Sequence, residues 1–262
     1  MKRREFMAAS CLAGLAPLSI NQMADAADSS DAPKKEFYEL RLYSFASTEK
    51  RDQFCQFLGK AAIPALNRLG ISPVGVFQLI EEGDTIDLYV LLPSGCPITL
   101  LGATSQLMED EKYLGDGAAV LDVPKSDPAY LRIESSLLLA FDGIPKTEVP
   151  TKKATRLFQL RIYESHNAER AKKKIAMFNN GELETFRATG MDPVFFGETL
   201  IGTKVPNLTY MLGFDDMAAK DEAWKKFLAH PKWNEMKNDP QYKDTVSNIT
   251  NLMLQPAKCS QI

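Results

Sequence analysis

Polar and apolar residues alternate through Tyr38-Glu-Leu-Arg-Leu-Tyr43, and the same alternation returns in Phe158-Gln-Leu-Arg-Ile-Tyr163. A period of two predicts a strand, with Leu40 and Leu42 on one face and Glu39, Arg41 and Tyr43 on the other. Downstream the period changes. Cys55, Leu58, Ile63 and Leu66 fall at i, i+3, i+8 and i+11, and Ile175, Phe178, Leu183 and Phe186 repeat that spacing, so each half predicts a helix with one buried face. Pro64 is expected to kink or end the first of these helices. Gly70 and Gly190 follow the apolar stripes as C-terminal caps would. Two strands come next in each half, 74–80 and 86–92 around the hairpin turn Glu-Glu-Gly-Asp-Thr, then 194–199 and 208–214. A second helix is clear at 215–233, where Trp224, Phe227 and Leu228 make an apolar face, and weaker at 98–108. Strands at 131–141 and 245–254 close the halves. The order is βαββαβ twice, the ferredoxin-like plan.

Arg41 and Arg161 are 120 positions apart, and the same offset joins Tyr43 to Tyr163, Gly70 to Gly190 and Pro73 to Pro193. The chain therefore reads as a duplication. An N-terminal domain spans 36–141, a Pro-, Lys- and Thr-rich linker 142–155 and a C-terminal domain 156–257. A four-stranded sheet with both helices on one face leaves the other face uncovered. Two such sheets in one chain predict an α+β fold, an intramolecular pseudo-dimeric α/β barrel. With the leucines assigned to the helix side, Glu39, Arg41 and Tyr43, together with Gln159, Arg161 and Tyr163, are expected to face the shared barrel interior. Buried charges must be paired or hydrogen-bonded. This polar set is thus either an internal network locking the sheets in register or the lining of a polar ligand pocket. Gln159 in place of Glu39 leaves Arg161 without a same-strand carboxylate, which suits an acidic ligand in the C-terminal half.

The first residues add a destination. Lys2, Arg3 and Arg4 precede an apolar run too short to span a bilayer, and Arg3-Arg4-Glu5-Phe6-Met7 resembles a twin-arginine export signal. Residues 1–26 are expected to be that signal and 27–35 a disordered linker, which places the mature protein in the periplasm or outside the cell. No other apolar run reaches 18 residues, so no membrane span is expected after processing. Composition is that of an ordinary globular chain, 45% hydrophobic and 25% charged, and a formal charge of −3 without a basic run argues against nucleic acid. Beyond the signal lie Cys55, Cys96 and Cys259, without zinc spacing. Cys55 matches Ile175 in the repeat and is expected in the core; Cys96 and Cys259 are candidates for a disulfide.

The first-strand phrases, the Gly-x-x-Pro-Val before the second strand (Gly70 to Val74, Gly190 to Val194) and the run Trp224, Phe227, His230, Pro231, Trp233 together resemble the NIPSNAP family. The resemblance covers most of the mature chain and is best in its C-terminal half. It implies paired ferredoxin-like domains of the dimeric α/β barrel type, a class that includes cofactor-independent oxygenases, haem-binding enzymes and plain ligand binders. It supplies no catalytic residue.

The chain has two histidines, His166 and His230. His166, at a strand end where a helix begins, is expected as a solvent-facing or capping-loop residue, with a general base or haem ligand at the pocket rim as the functional alternative. His230, before a proline, is expected to stabilise a helix end. Lys172, Lys173 and Lys174 are expected to be a solvated helix face, and Trp224 and Trp233 to fill core or cover an edge. Motifs of hydrolases, kinases and nicotinamide enzymes are lacking, and no metal site is indicated. The leading expectation is an exported protein binding a small organic ligand through Glu39, Arg41, Tyr43, Gln159, Arg161 and Tyr163. The alternatives are an oxygenase or isomerase in which Tyr43, Tyr163 or His166 moves protons, and a non-catalytic interaction module. A cofactor and further oligomerisation are left open.

Overall fold

A computed structural model describes residues 34–262 apart from Glu82 and Asp84. The export signal at 1–26, and the part of the expected linker up to residue 33, lie outside the described residues. So do Glu82 and Asp84 of the predicted hairpin turn.

Both halves follow the predicted order. The first comprises β1 (Phe37–Phe45), α1 (Thr48–Phe57), α2 (Ile63–Arg68), β2 (Gly75–Leu79), β3 (Ile86–Ser94), α3 (Pro97–Leu107), α4 (Glu111–Leu121) and β4 (Arg132–Ala140). The second repeats it with β5 (Leu157–Glu164), α5 (Ala168–Met177), α6 (Leu183–Ala188), β6 (Asp192–Ile201), β7 (Asn207–Phe214), α7 (Met217–Ala229), α8 (Pro231–Asn238) and β8 (Asn248–Pro256). Side-chain caps start the leading helices: Ser47 Oγ accepts from the Lys50 amide and Asn167 Oδ1 from the Arg170 amide. Gly70 and Gly190 end the α2 and α6 regions at φ of 78° and 84°, the left-handed conformation that stops a helix. Between α1 and α2 the chain passes through a π-helical stretch, Leu58–Ala62, just ahead of Pro64, and Phe178–Glu182 occupies the same place without a proline. The bend therefore belongs to the repeat and not to Pro64 alone.

Helix α4 is absent from the sequence reading. Gly115 and Gly117 lower its intrinsic propensity and only Tyr113 and Gly117 are buried on it, so its periodicity is faint. It is nevertheless capped, because Asp110 Oδ1 accepts from the Tyr113 amide at 2.9 Å.

The eight strands close into an antiparallel barrel in the order β1-β3-β2-β8-β5-β7-β6-β4. Each leading strand is central to its own half, and the halves are joined where β2 pairs with β8 and β4 with β6. The barrel interior is apolar, with Tyr38, Leu40, Phe77, Phe158, Leu160 and Phe195 among its filling. This reverses the expected facing of the leading strands. Leu40 and Leu42 point into the barrel, whereas Tyr43 belongs to the layer between the N-terminal sheet and its helices and Tyr163 to the C-terminal equivalent. The physical reason is room. An eight-stranded barrel leaves an interior just wide enough for side chains to fill, with no space for solvated charges. The helical layers do not cover their sheets completely, and the polar positions face that gap. Among the described residues, no helix is long and apolar enough to cross a membrane.

Candidate functional site

Because the polar stripes face outward, they form two pockets in place of one shared interior site. A cavity of about 610 Å³ in the N-terminal half is lined by Glu39, Arg41 and Tyr43 of β1, Phe54 of α1, Thr104 of α3 and Tyr113 of α4. A cavity of about 450 Å³ in the C-terminal half is lined by Arg161 and Tyr163 of β5, Lys174 of α5, Glu182, Trp224 of α7 and Trp233 of α8. The offset of 120 holds throughout: Phe54 matches Lys174, Thr104 matches Trp224 and Tyr113 matches Trp233. On the closing strand it becomes 116, with Ser135 matching Asn251.

Equivalent positions carry different electrostatics. In the N-terminal pocket Arg41 donates from Nε and Nη2 to both Glu39 carboxylate oxygens, at 2.7 and 2.8 Å, and Ser135 Oγ donates to the same carboxylate at 2.7 Å. Burial works against the Arg41 charge, but Glu39 and Tyr43 together more than offset it and hold the guanidinium above its ordinary range. The pair is closed and its charge cancels locally.

In the C-terminal pocket Gln159 replaces that carboxylate and is otherwise engaged. It accepts from Trp224 Nε1 at 2.7 Å and donates to Asn251 Oδ1 at 2.8 Å. Trp224 is thereby fixed over Arg161, whose guanidinium carbon lies 4.8 Å from the indole centroid and 5.3 Å from the Tyr163 ring. Arg161 Nε is shielded from solvent and has no hydrogen-bond partner. Tyr210 donates to the Tyr163 oxygen at 3.0 Å. With its oxygen already accepting, Tyr163 has its own proton free to donate into the cavity. Burial pushes the Tyr163 and Tyr210 phenols up, so both stay protonated near neutrality. Burial likewise raises Tyr43 and takes Tyr113 to about 12.

A buried ion pair completes the wall. Lys174 Nζ lies 2.6 Å from Glu182 Oε2, with the two side chains 5% and 2% exposed, and 4.4 Å from the Phe178 ring centroid. Burial pushes the Glu182 carboxyl up against the pull of Lys174. Arg161, Lys174 and Glu182 sum to one positive charge on this wall, against zero for Arg41 and Glu39.

The six expected ligand-binding residues thus divide three and three between the halves. Gln159 acts behind Trp224 and is not itself a wall of the cavity. His166 is exposed on the turn before α5, the solvent-facing placement; it lies outside both pockets and neither is lined by a histidine, so the alternative of a rim base or haem ligand is not placed at either. His230 caps α8, its Nδ1 accepting from the Lys232 amide at 3.2 Å. The lysine run is not one solvated face, because Lys174 is buried while Lys172 is exposed. Both tryptophans, expected to fill core or cover an edge, pack against the C-terminal core and also line its cavity. The signal for Lys174 was present in the repeat, which aligns it with the core residue Phe54. Cys259 lies against Cys55, not Cys96, so the expected Cys96–Cys259 partnership is not the one the fold brings together. Among the described residues, no group of three or more His, Cys, Asp or Glu is placed to hold a metal ion.

Comparison with known proteins agrees with this architecture. A provisionally named monooxygenase from Fusobacterium nucleatum superposes with a TM-score of 0.58 at 11% identity, covering 85% of this chain and 92% of the other. A second, from Lactobacillus acidophilus, gives 0.56 at 11% identity over 85% and 94%. At such identity the likeness shows the fold alone. A NIPSNAP-like domain protein from Burkholderia xenovorans is 19% identical over 40% of this chain and 87% of its own, with a TM-score of 0.36. No curated protein matches the sequence. The NIPSNAP family profile matches residues 158–261, the whole of the half that holds Arg161, Gln159 and both tryptophans. The C-terminal half of this chain is a NIPSNAP domain, built with its N-terminal counterpart into one closed α/β barrel.

Proposed function

We propose that the protein binds a small organic anion with a flat apolar body in the C-terminal pocket. The observation that carries this reading is Arg161, a half-buried arginine with a shielded, unpartnered Nε and no counterpart of Glu39 beside it. A shielded N–H on a charged group is costly until it is paired. A carboxylate or enolate on Arg161, accepting also from Tyr163, supplies the missing acceptor, and the Trp224 and Trp233 rings wall a planar body. The 450 Å³ cavity is of the size that holds small ligands.

The chain contains two tryptophans and both line this pocket, so intrinsic tryptophan fluorescence reads this site and not the N-terminal one. Titration with salicylate and 2-naphthoate is expected to quench and saturate, with the matching amides at least about tenfold weaker, the loss of a charge-assisted bond. Arg161→Met is expected to abolish the response and leave the fold intact. Equal binding of acid and amide, or an unchanged response in that variant, refutes the reading. The Lys174–Glu182 pair on the same wall favours a second reading, proton transfer on the bound anion. Glu182→Gln separates the two, keeping binding but losing hydrogen–deuterium exchange at an enolisable carbon of the ligand.

A further inference from the structure

We infer that Cys55 and Cys259 form a reversible disulfide that fastens the C-terminal tail to the helical layer of the N-terminal half. After β8 the tail runs beside the start of β2. The Ala257 amide donates to the Val76 carbonyl and the Gln261 amide to the Val74 carbonyl, each at 2.9 Å. The Val74 and Val76 amides donate in turn to Gln261 Oε1 and Ser260 Oγ, at 2.7 and 3.0 Å. These bonds bring Cys259 over α1 and the π-helical stretch that follows it. Cys55 and Gly59 stand one turn apart there, and a Cβ added at Gly59 would lie 3.0 Å from the Cys259 Cβ. The missing side chain lets the tail settle against the helix. The two cysteines pack on the same core cluster and open together onto a cleft of about 540 Å³. A disulfide requires Cβ atoms about 4 Å apart, and the tail already seats the Cys259 Cβ against the helix turn that carries Cys55.

The pair is also differentiated. The proximity of the two thiols raises Cys55 and lowers Cys259, so Cys259 is the sulfur that ionises first. Its thiolate attacks one sulfur of a low-molecular-weight disulfide, expelling the other as a thiolate that takes up a proton and leaving a mixed disulfide on Cys259. Cys55 then gives its proton to solvent and attacks the Cys259 sulfur, expelling the second reagent thiol. Two protein thiols are oxidised by two electrons and one reagent disulfide is reduced to two thiols. Cys96, exposed at the start of α3, stays outside the exchange. The consequence is mechanical. Ile262, three residues past Cys259, is 1% exposed and buried in the barrel interior, so the bridge holds in place a tail that helps to fill the barrel.

The test equilibrates the full chain in buffers of stepped oxidised-to-reduced glutathione ratio, alkylates the remaining thiols and maps the peptides. A Cys55–Cys259 linked peptide that has lost two hydrogens is expected to grow with the ratio and vanish with dithiothreitol, while Cys96 remains alkylated. The melting temperature is expected to rise by roughly 5 °C or more on oxidation. Cys96→Ser keeps both results and Cys259→Ser loses both; should the latter misfold, peptide mapping of the unaltered chain decides. A glutathione adduct that persists on Cys259 or Cys55 without the linked peptide, or a link through Cys96, overturns the proposal. A linked peptide with an unchanged melting temperature overturns the fastening role.

Discussion

The duplication supplies its own control for the buried ion pair. Lys174 and Glu182 occupy the positions of Phe54 and Ala62, and all four are buried. Phe54 packs against the Tyr43 ring with centroids 4.8 Å apart, where Lys174 Nζ lies 5.7 Å from the Tyr163 ring. Replacing the pair by the other half's residues, Lys174→Phe with Glu182→Ala, therefore transplants a solution already in use on the same backbone. Removing one partner is another matter. Glu182→Ala leaves an ammonium among Phe178, Trp233 and Met177 with no carboxylate, which costs about 3–5 kcal/mol. The double variant removes both charges and the desolvation of each, so it is expected to be neutral or about 1–4 kcal/mol more stable than the parent. At roughly 2–4 °C per kcal/mol for a chain of this size, the single variant melts about 6–20 °C lower and the double at or above the parent. Urea unfolding followed by far-ultraviolet circular dichroism measures both, with pH as a second axis. Burial raises Glu182 above its unfolded value, so the folded state holds the extra proton between the two values. The contribution of Glu182 is then fullest below the ordinary carboxylate range, near pH 4, and is lost as pH rises through the raised value. The advantage of the double variant over the parent must accordingly grow with pH across that window. A double variant as unstable as the single, or an advantage that shrinks with rising pH, refutes the reasoning. Since Arg161 is untouched, salicylate quenching should survive in the double variant.

Two further outcomes follow from the same geometry. Gln159→Glu gives Arg161 the partner that Arg41 has, so carboxylate binding read by tryptophan quenching is expected to weaken at least about tenfold while the melting temperature holds or rises. Tyr163→Phe leaves the Tyr210 hydroxyl buried without its acceptor, costing about 1–3 kcal/mol in urea unfolding, and Tyr163→Phe with Tyr210→Phe should recover much of that loss.

Much of the architecture was legible because it is repeated. Two copies of an alternating phrase, a matched helical stripe and glycines at one offset sufficed for the βαββαβ order and for the barrel. The facing of the leading strands was not legible, for a definite reason. Alternation separates Leu40 and Leu42 from Glu39, Arg41 and Tyr43, but it does not label the faces, and here both faces of the sheet are covered. Placing the leucines under the helices puts the polar set between the halves, whereas closure into eight strands makes that interior the drier side. Lys174 was hidden by its neighbours Lys172 and Lys173, which suggested a solvated run. Comparison across the repeat, with Phe54 as its partner, carried the better information. The loss of Glu39 at Gln159 was readable from sequence alone, and the unpartnered Arg161 Nε is its structural counterpart.

The placement of the two polar stripes also explains how one half could change without the other. Residues that fill the barrel touch both halves, so a charge introduced there would disturb two sheets at once. The helix-covered faces are separate layers, each with its own hydrophobic cluster, and substitutions in one share no partners with the other. Distant sites of this kind contribute additively. Gln159, Trp224, Lys174 and Glu182 all lie on the C-terminal side of that division, while the N-terminal half keeps its arginine closed on Glu39. A chain with two equivalent pockets can in this way hold one electrostatically closed and leave the other with a charge to satisfy. The distinction is measurable: Arg41→Met with Glu39→Met, which removes a closed pair, should leave carboxylate quenching of the tryptophans unchanged, and any loss of that signal would mean that the two layers are coupled.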